Sequence, residues 1–128
     1  MNMPYKLECA GSCSAGDASE ADINRAFDED RIRGQYAILI APGGSFLQAA
    51  GEGDGPYVLE HREARTNEHV RAQGEWTKED VREAFLQYRR GDARWRTSRG
   101  WEPLKAGGCF SAVVLAFGLS AALAAVLA

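Results

Sequence analysis

The last 23 residues of the chain, 106–128, contain no charged side chain, although the preceding residues carry all 15 Lys and Arg and all 18 Asp and Glu. As a helix this segment would be roughly 34 Å long, enough to cross the roughly 30 Å hydrocarbon layer of a membrane with some tilt. Hydrogen bonds within the helix would satisfy its backbone groups, as lipid requires. The segment therefore predicts a C-terminal transmembrane helix.

Two other environments suit residues 106–128 less well than lipid does. A buried core helix usually carries a polar stripe, and the other residues would have to surround this one on every side. An interfacial helix needs a charged face, which the segment lacks. Small residues recur in it at four-residue spacing, a pattern that lets membrane helices approach closely and makes self-association a candidate. They are Gly108, Ala112 and Ala116, and Gly118 and Ala122.

The residues that precede this segment predict its orientation. Between Arg89 and Lys105 there are six basic residues and two acidic ones, Asp92 and Glu102. The positive-inside rule keeps such a flank in the cytoplasm, and the N-terminus MNMPYKLECAGSC has no basic and then apolar signal peptide. We expect a single-pass, tail-anchored protein of the cytoplasmic membrane with its N-terminal domain in the cytoplasm.

Basic and aromatic residues next to the apolar segment predict contact with anionic lipid head groups. The candidate interface residues are Arg94, Trp95, Arg96, Arg99, Trp101 and Lys105. This basic end explains the charge asymmetry of the chain without a nucleic-acid partner. In the alternative interpretation, one or both of these tryptophans belong to the core of the domain.

The pattern before the tail predicts an α+β domain at residues 1–92, a basic and aromatic juxtamembrane segment at 93–105, and the transmembrane helix at 106–128. The element order is strand, helix, four strands and helix. Short turns between consecutive strands imply an antiparallel sheet of about five strands, and the two amphipathic helices are expected to cover one of its faces.

Capping and turn residues locate the helices and one hairpin. Ser19 with Asp22 and Thr77 with Asp80 have the spacing of N-terminal caps, and Gly91 is placed to end the second helix. In the sequence APGGS, Pro42 suits the second position of a type II turn, and the following glycine supplies the positive φ of the third.

The two histidines, His61 and His69, fall in the two strands of one predicted hairpin. A register that pairs Glu60 with Arg71 and His61 with Val70 gathers apolar residues on one side and opposite charges on the other. The same register places the histidines on opposite faces, so no metal site is predicted. Polar strand residues form a candidate surface site, namely Gln48, Glu60, Arg62, His69 and Arg71.

No catalytic constellation is apparent in the sequence, and no cofactor is expected. The glycine clusters APGGS and GEGDG precede predicted strands, whereas phosphate-binding loops lead into a helix N-terminus. Nucleophile elbows, metalloprotease helices and Walker loops are absent from the sequence. If the chain is instead an enzyme, the residues to substitute are His61, His69, Glu60 and Gln48.

Cysteine usage agrees with a reducing compartment. Cys9 and Cys13 are four residues apart, unlike the closer pairs of zinc and redox sites, and no Cys/His pair follows them. Cys109 lies just inside the apolar tail and is interpreted as a small residue of a lipid-facing helix, or alternatively as an acylation point. Twelve Arg against three Lys, with many Ala and Gly, suggest a GC-rich and bacterial genome.

Several short runs resemble a group of small bacterial α+β proteins for which no activity is established. The runs are FLQAA at 46–50, YVLEHRE at 57–63, NEHVRA at 67–72, AFLQYRRGDARWR at 84–96, and Trp101. The resemblance covers roughly residues 35–102 and implies the fold and a bacterial source.

The function expected from the sequence is that of a non-enzymatic binding domain, presented to the cytoplasm and to a protein partner by a membrane tail. An immunity-type inhibitor of a bacterial toxin is the alternative, by analogy with immunity proteins of this size.

Overall fold

Six strands form one antiparallel sheet in which each strand pairs with the next along the chain. The computed structural model describes residues 4–9, 16–29, 36–51 and 55–104. The strands are β1 (Lys6–Cys9), β2 (Tyr36–Ile40), β3 (Phe46–Gly51), β4 (Tyr57–Arg62), β5 (His69–Ala72) and β6 (Trp101–Pro103). The helices are α1 (Glu20–Asp28), α2 (Lys78–Arg90) and the short α3 (Arg94–Thr97). The α+β class and the antiparallel sheet are confirmed.

The sheet has one strand more than the sequence predicted. β6 pairs with β5, with Arg71 opposite Glu102, and it lies in the stretch that the sequence assigned to a juxtamembrane segment. Three residues with one proline carry little strand pattern of their own, so the pairing with β5 rather than local propensity defines this strand. The ordered sheet therefore continues to within a few residues of the apolar tail.

The predicted caps and turn are confirmed. Ser19 and Thr77 each cap a helix in a reciprocal capping box, with Asp22 and Asp80 as their partners. Gly91 ends α2 in the left-handed conformation at φ 77°. Between β2 and β3 the amide of Gly44 donates to the Ala41 carbonyl at 3.0 Å, and Gly43 has φ 98°, as a type II turn requires.

One face of the sheet, here called the helix face, packs against α1 and α2. Strand side chains such as Leu39, Leu47 and Leu59 form a continuous core with Phe27 of α1 and Phe85 of α2. The Phe27 and Phe85 rings meet edge to face with centroids 5.6 Å apart. Both long helices therefore cover the same face, as expected for a two-layer α+β domain.

Cys9 is disulfide-bonded, and its partner lies outside the described residues. This differs from the cysteine state expected in a reducing compartment. Cys13 and Cys109 also lie outside the described residues.

Within residues 4–9, 16–29, 36–51 and 55–104, no helix is both long and apolar enough to cross a bilayer. The predicted transmembrane helix at 106–128, its small-residue contacts and Lys105 fall outside these ranges.

Candidate functional site

The face of the sheet opposite the helices, here called the second face, carries a cluster of polar side chains. Strand register aligns Gln48 of β3 with Glu60 of β4, and Glu60 with Arg71 of β5. His69 lies two residues before Arg71, so it points to the same face. We call Gln48, Glu60, His69 and Arg71 the Glu60 cluster.

The hairpin register that the sequence predicted produces this cluster. Glu60 pairs with Arg71 and His61 pairs with Val70, as charge and apolar matching favoured. His61 consequently points to the helix face and His69 to the second face. Among the described residues, no group of three or more His, Cys, Asp and Glu is placed to hold a metal ion.

The Glu60 carboxylate is the centre of the cluster and is only 1% exposed. Its Oε2 accepts hydrogen bonds from Arg71 Nε at 3.2 Å and from Arg71 Nη2 at 2.9 Å. Its Oε1 lies 3.3 Å from Gln48 Nε2, which donates to it, and 3.2 Å from His69 Nε2. For His69 to donate there, its proton must be on Nε2.

Four close contacts occupy both oxygens of the Glu60 carboxylate. A buried carboxylate is tolerated only when it is paired and hydrogen-bonded, because removing a charge from water is costly. With its acceptor positions filled in this way, Glu60 lacks the open lone pair that a general base needs for a substrate proton. The arrangement is suited to holding His69 and Arg71 in fixed positions.

Gln48 adds a polar atom with an unmet hydrogen bond. Its side-chain NH₂ donates to the Glu60 carboxylate, which fixes the amide orientation because only the nitrogen can donate. The residue is 6% exposed, and within the described part of the chain its Oε1 receives no hydrogen bond. Such an acceptor costs on the order of 1–3 kcal/mol unless a donor reaches it.

Apolar side chains surround the Glu60 cluster on the second face. Ile38 is 1% exposed and Phe46 is 2% exposed, and both alternate along their strands with residues of the helix-face core. The Phe46 ring meets the His69 ring edge to face, with centroids 6.4 Å apart. At these positions the second face is therefore as inaccessible to solvent as the helix face.

Arg62, the fifth predicted surface residue, stands opposite His69 across the β4–β5 pair. Its Nη2 donates to Asn67 Oδ1 at 2.9 Å, and Asn67 has φ 60° in the hairpin loop. The structure thus brings all five predicted surface residues to one face, with Arg62 at the loop end of the group. Gln48 and Glu60, however, are buried there and not exposed.

The two predicted membrane-interface tryptophans have partners within the domain. Trp95 packs against the core, with its ring centroid 4.6 Å from His61 and 5.1 Å from Tyr88. Trp101 also packs against this core and lies 5.6 Å from Trp95. Both tryptophans remain half-buried.

The arginines near these tryptophans form ion pairs and ring contacts. Arg94 pairs with Asp92 through Nη2 and Oδ2 at 2.6 Å. Arg99 pairs with Asp80 at 3.1 Å and lies 4.1 Å above the Trp76 ring. Because Asp92 and Asp80 neutralise these two charges, the segment 93–105 is less basic than its composition suggests.

His61 is buried between the sheet and the helices on the helix face. Burial lowers the pKa of His61 from 6.5 to about 4, because a buried imidazole loses the hydration of its charged form. Its aromatic neighbour Tyr88 has its pKa raised, also through burial. His61 is therefore neutral at physiological pH and acts as a core aromatic residue.

A groove of about 270 Å³ lies between α2 and the segment that contains α3. It is lined by Trp76, Asp80, Glu83, Ala84, Gln87, Trp95, Ser98 and Arg99. Neither Trp76 nor Glu83 was predicted as a functional residue, because neither stands in a recognisable motif. Only the packing of α3 against α2 creates this groove.

The buried apolar residues of the second face were also missed, although the sequence contains a signal for them. The strands YAILI (36–40) and FLQAAG (46–51) are nearly continuous apolar runs. Such runs are typical of strands that are buried on both faces, whereas one-sided burial gives strict alternation.

No protein-family model, curated protein or solved structure matches this chain. The resemblance to small bacterial α+β proteins stays an expectation based on the quoted runs.

Proposed function

We propose that this chain is a membrane-anchored binding module, in which residues 106–128 hold the α+β domain at a bilayer and the second face contacts a partner. The observation that carries the proposal is the charge-free segment of 23 residues directly after the domain. A helix of that length and composition suits the hydrocarbon layer.

The end of the sheet supports a short tether. The amide of Leu104 donates to the His69 carbonyl at 2.8 Å, so the chain is still bonded to β5 one residue before Lys105. With so few residues between the sheet and the segment, the β5–β6 edge would lie close to the head groups. Arg96 and Lys105 then supply positive charge next to anionic lipid.

A binding role, rather than a catalytic one, accounts for the Glu60 cluster. The carboxylate is saturated by Arg71, His69 and Gln48, so the cluster presents fixed donors instead of an available base. Replacing such a buried ion pair by apolar residues is often neutral or stabilising. Its presence beside the buried Ile38 and Phe46 therefore favours recognition of a partner.

Flotation with phospholipid vesicles tests the anchor on the full chain. We expect the purified protein to float with vesicles that contain anionic lipid. Leu119→Arg places a charge near the middle of the segment, at a cost of roughly 3 kcal/mol, which should lower partitioning roughly a hundredfold.

Leu119→Met keeps the apolar character of the segment and serves as the matched control, which should float like the original chain. If Leu119→Arg floats as well as Leu119→Met, the segment does not lie in the hydrocarbon layer and the proposed anchor is wrong.

A further inference from the structure

The second face is buried although both long helices lie on the other side of the sheet. Ile38 and Phe46 are 1% and 2% exposed there, and Glu60 is 1% exposed. Side chains on an open sheet face stand perpendicular to the sheet with one side toward water. Neighbours on the same sheet do not remove the large side chains Ile38 and Phe46 from water to this extent, so the face requires a cover.

We propose that the C-terminal segment 106–128 folds back onto the second face whenever it is not inserted in lipid. The inference goes beyond the proposed anchor by giving the same segment a second location, on its own domain. In that location the segment covers the Glu60 cluster, and insertion into a bilayer would expose the cluster to a partner.

The dimensions of the sheet and of the segment agree. Six strands span five inter-strand spacings of about 4.8 Å, or roughly 24 Å from β1 to β6. As a helix the segment is roughly 34 Å long and crosses this width. It starts in the right place, because Leu104 is bonded to β5 beside His69, at the β6 side of the second face.

The other segments outside the described ranges are poor covers. Residues 1–3, 10–15, 30–35 and 52–54 are each six residues or shorter. Residues 30–35 read DRIRGQ and contain three charged side chains, which would be costly to place on an apolar face. Of the segments outside the described ranges, only the C-terminal one is long enough and apolar enough to cover Ile38 and Phe46.

The chemistry of the second face also suits an uncharged helix. Arg71 neutralises the buried Glu60 carboxylate within the sheet, so a cover over this carboxylate needs no charge of its own. None of the described residues donates a hydrogen bond to Gln48 Oε1. The segment offers two hydroxyl groups, Ser111 and Ser120, and either one would supply this hydrogen bond without adding charge.

Photo-cross-linking of the full chain tests this location. Phe117 is replaced by the photoreactive p-benzoyl-phenylalanine, which preserves an aromatic ring in the middle of the segment. In dilute, detergent-free buffer we expect cross-links within one molecule to peptides of residues 36–51 and 57–62. Adding anionic phospholipid vesicles before illumination should abolish them.

The same probe at Glu75, an exposed residue before α2, is the control and should give no cross-link to side chains of the second face. Cross-links of the Phe117 probe that join two molecules would overturn the proposal in favour of a second copy as the cover. An absence of cross-links to the two peptides would overturn the docking itself.

The cross-linking and flotation experiments fail independently. If the chain cross-links internally in buffer and does not float, the proposed docking is supported and the proposed anchor is wrong. If the chain floats and gives no internal cross-link in buffer, the proposed anchor is supported and the proposed docking is wrong. Internal cross-links that persist unchanged on floated vesicles would overturn the exchange between the two locations.

Discussion

His61 and His69 are separated by eight positions in one hairpin and lie in different environments. His61 is buried on the helix face, where its ring lies 4.6 Å from Trp95. His69 reaches the Glu60 carboxylate on the second face. A register shifted by one residue would instead pair His61 with His69 and place both on the same face, because such a shift moves every side chain of a strand to the other face.

Burial of His61 predicts a pH dependence of stability between about pH 6.5 and pH 4.5. Its pKa is lowered to about 4 in the folded chain, so at intermediate pH the unfolded chain binds a proton that the folded chain does not. Stability therefore falls as the pH decreases through this range, by up to roughly 3 kcal/mol from this residue. Urea unfolding at several pH values measures the effect.

His61→Gln removes the titrating group and should flatten the stability curve in that range. Carboxylates with lowered pKa, such as Asp22 and Asp80, contribute mainly at lower pH, because their stabilisation is lost as the pH falls from their unfolded pKa values toward the folded ones. An unchanged slope between pH 6.5 and pH 4.5 in His61→Gln would show that the histidine is not buried as described.

The pairing of β4 with β5 is the element-level feature most directly linked to the Glu60 cluster. Glu60 and Arg71 face each other in register and share two hydrogen bonds at one carboxylate oxygen. Because the carboxylate is buried, removing either partner leaves the other without its counter-charge, which is more costly than losing an exposed pair.

A double-mutant cycle measures this coupling between the strands. We expect Glu60→Gln and Arg71→Met to show an interaction free energy of roughly 1–3 kcal/mol in urea unfolding. Glu102 stands on the other side of Arg71 in the same row and is exposed. The cycle of Glu102→Gln with Arg71→Met should therefore give less than about 0.5 kcal/mol. Equal coupling in the two cycles would contradict the central position of Glu60.

Features with a local chemical cause were predictable from the sequence. The caps at Ser19 and Thr77 follow from a side-chain oxygen that accepts a backbone N–H three residues later. The β4–β5 register follows from matching charged and apolar partners across two adjacent strands. Since Glu60, Arg62, His69 and Arg71 lie on these strands, their common face followed from the same register, whereas Gln48 joins them through the pairing of β3 with β4.

Features that depend on distant packing were not predictable in the same way. β6 is a strand because it adds to β5, and Trp95 is half-buried because α3 lies against α2 and His61. The arginines and tryptophans of this stretch had instead predicted a juxtamembrane segment. Composition alone does not distinguish tryptophans that contact lipid from tryptophans that pack on a core.

At the scale of the whole molecule, two apolar surfaces need separate explanations. The helix face is closed by α1 and α2, so the core of the domain is complete on that side. The second face and the segment 106–128 each need an apolar neighbour. Lipid provides an apolar environment for the segment, and the segment covers the second face when lipid is absent. The proposed anchor and the proposed docking are therefore two locations of the same segment.

Alkaline extraction of membranes from bacterial cells that express the full chain tests the central claim most directly. Strong base removes proteins held at the surface by charge, whereas a spanning helix stays inserted because its apolar surface remains in lipid. We predict that the protein stays in the membrane pellet after extraction. Its quantitative release into the supernatant, beside a spanning protein that is retained, would contradict the claim that residues 106–128 reside in the bilayer.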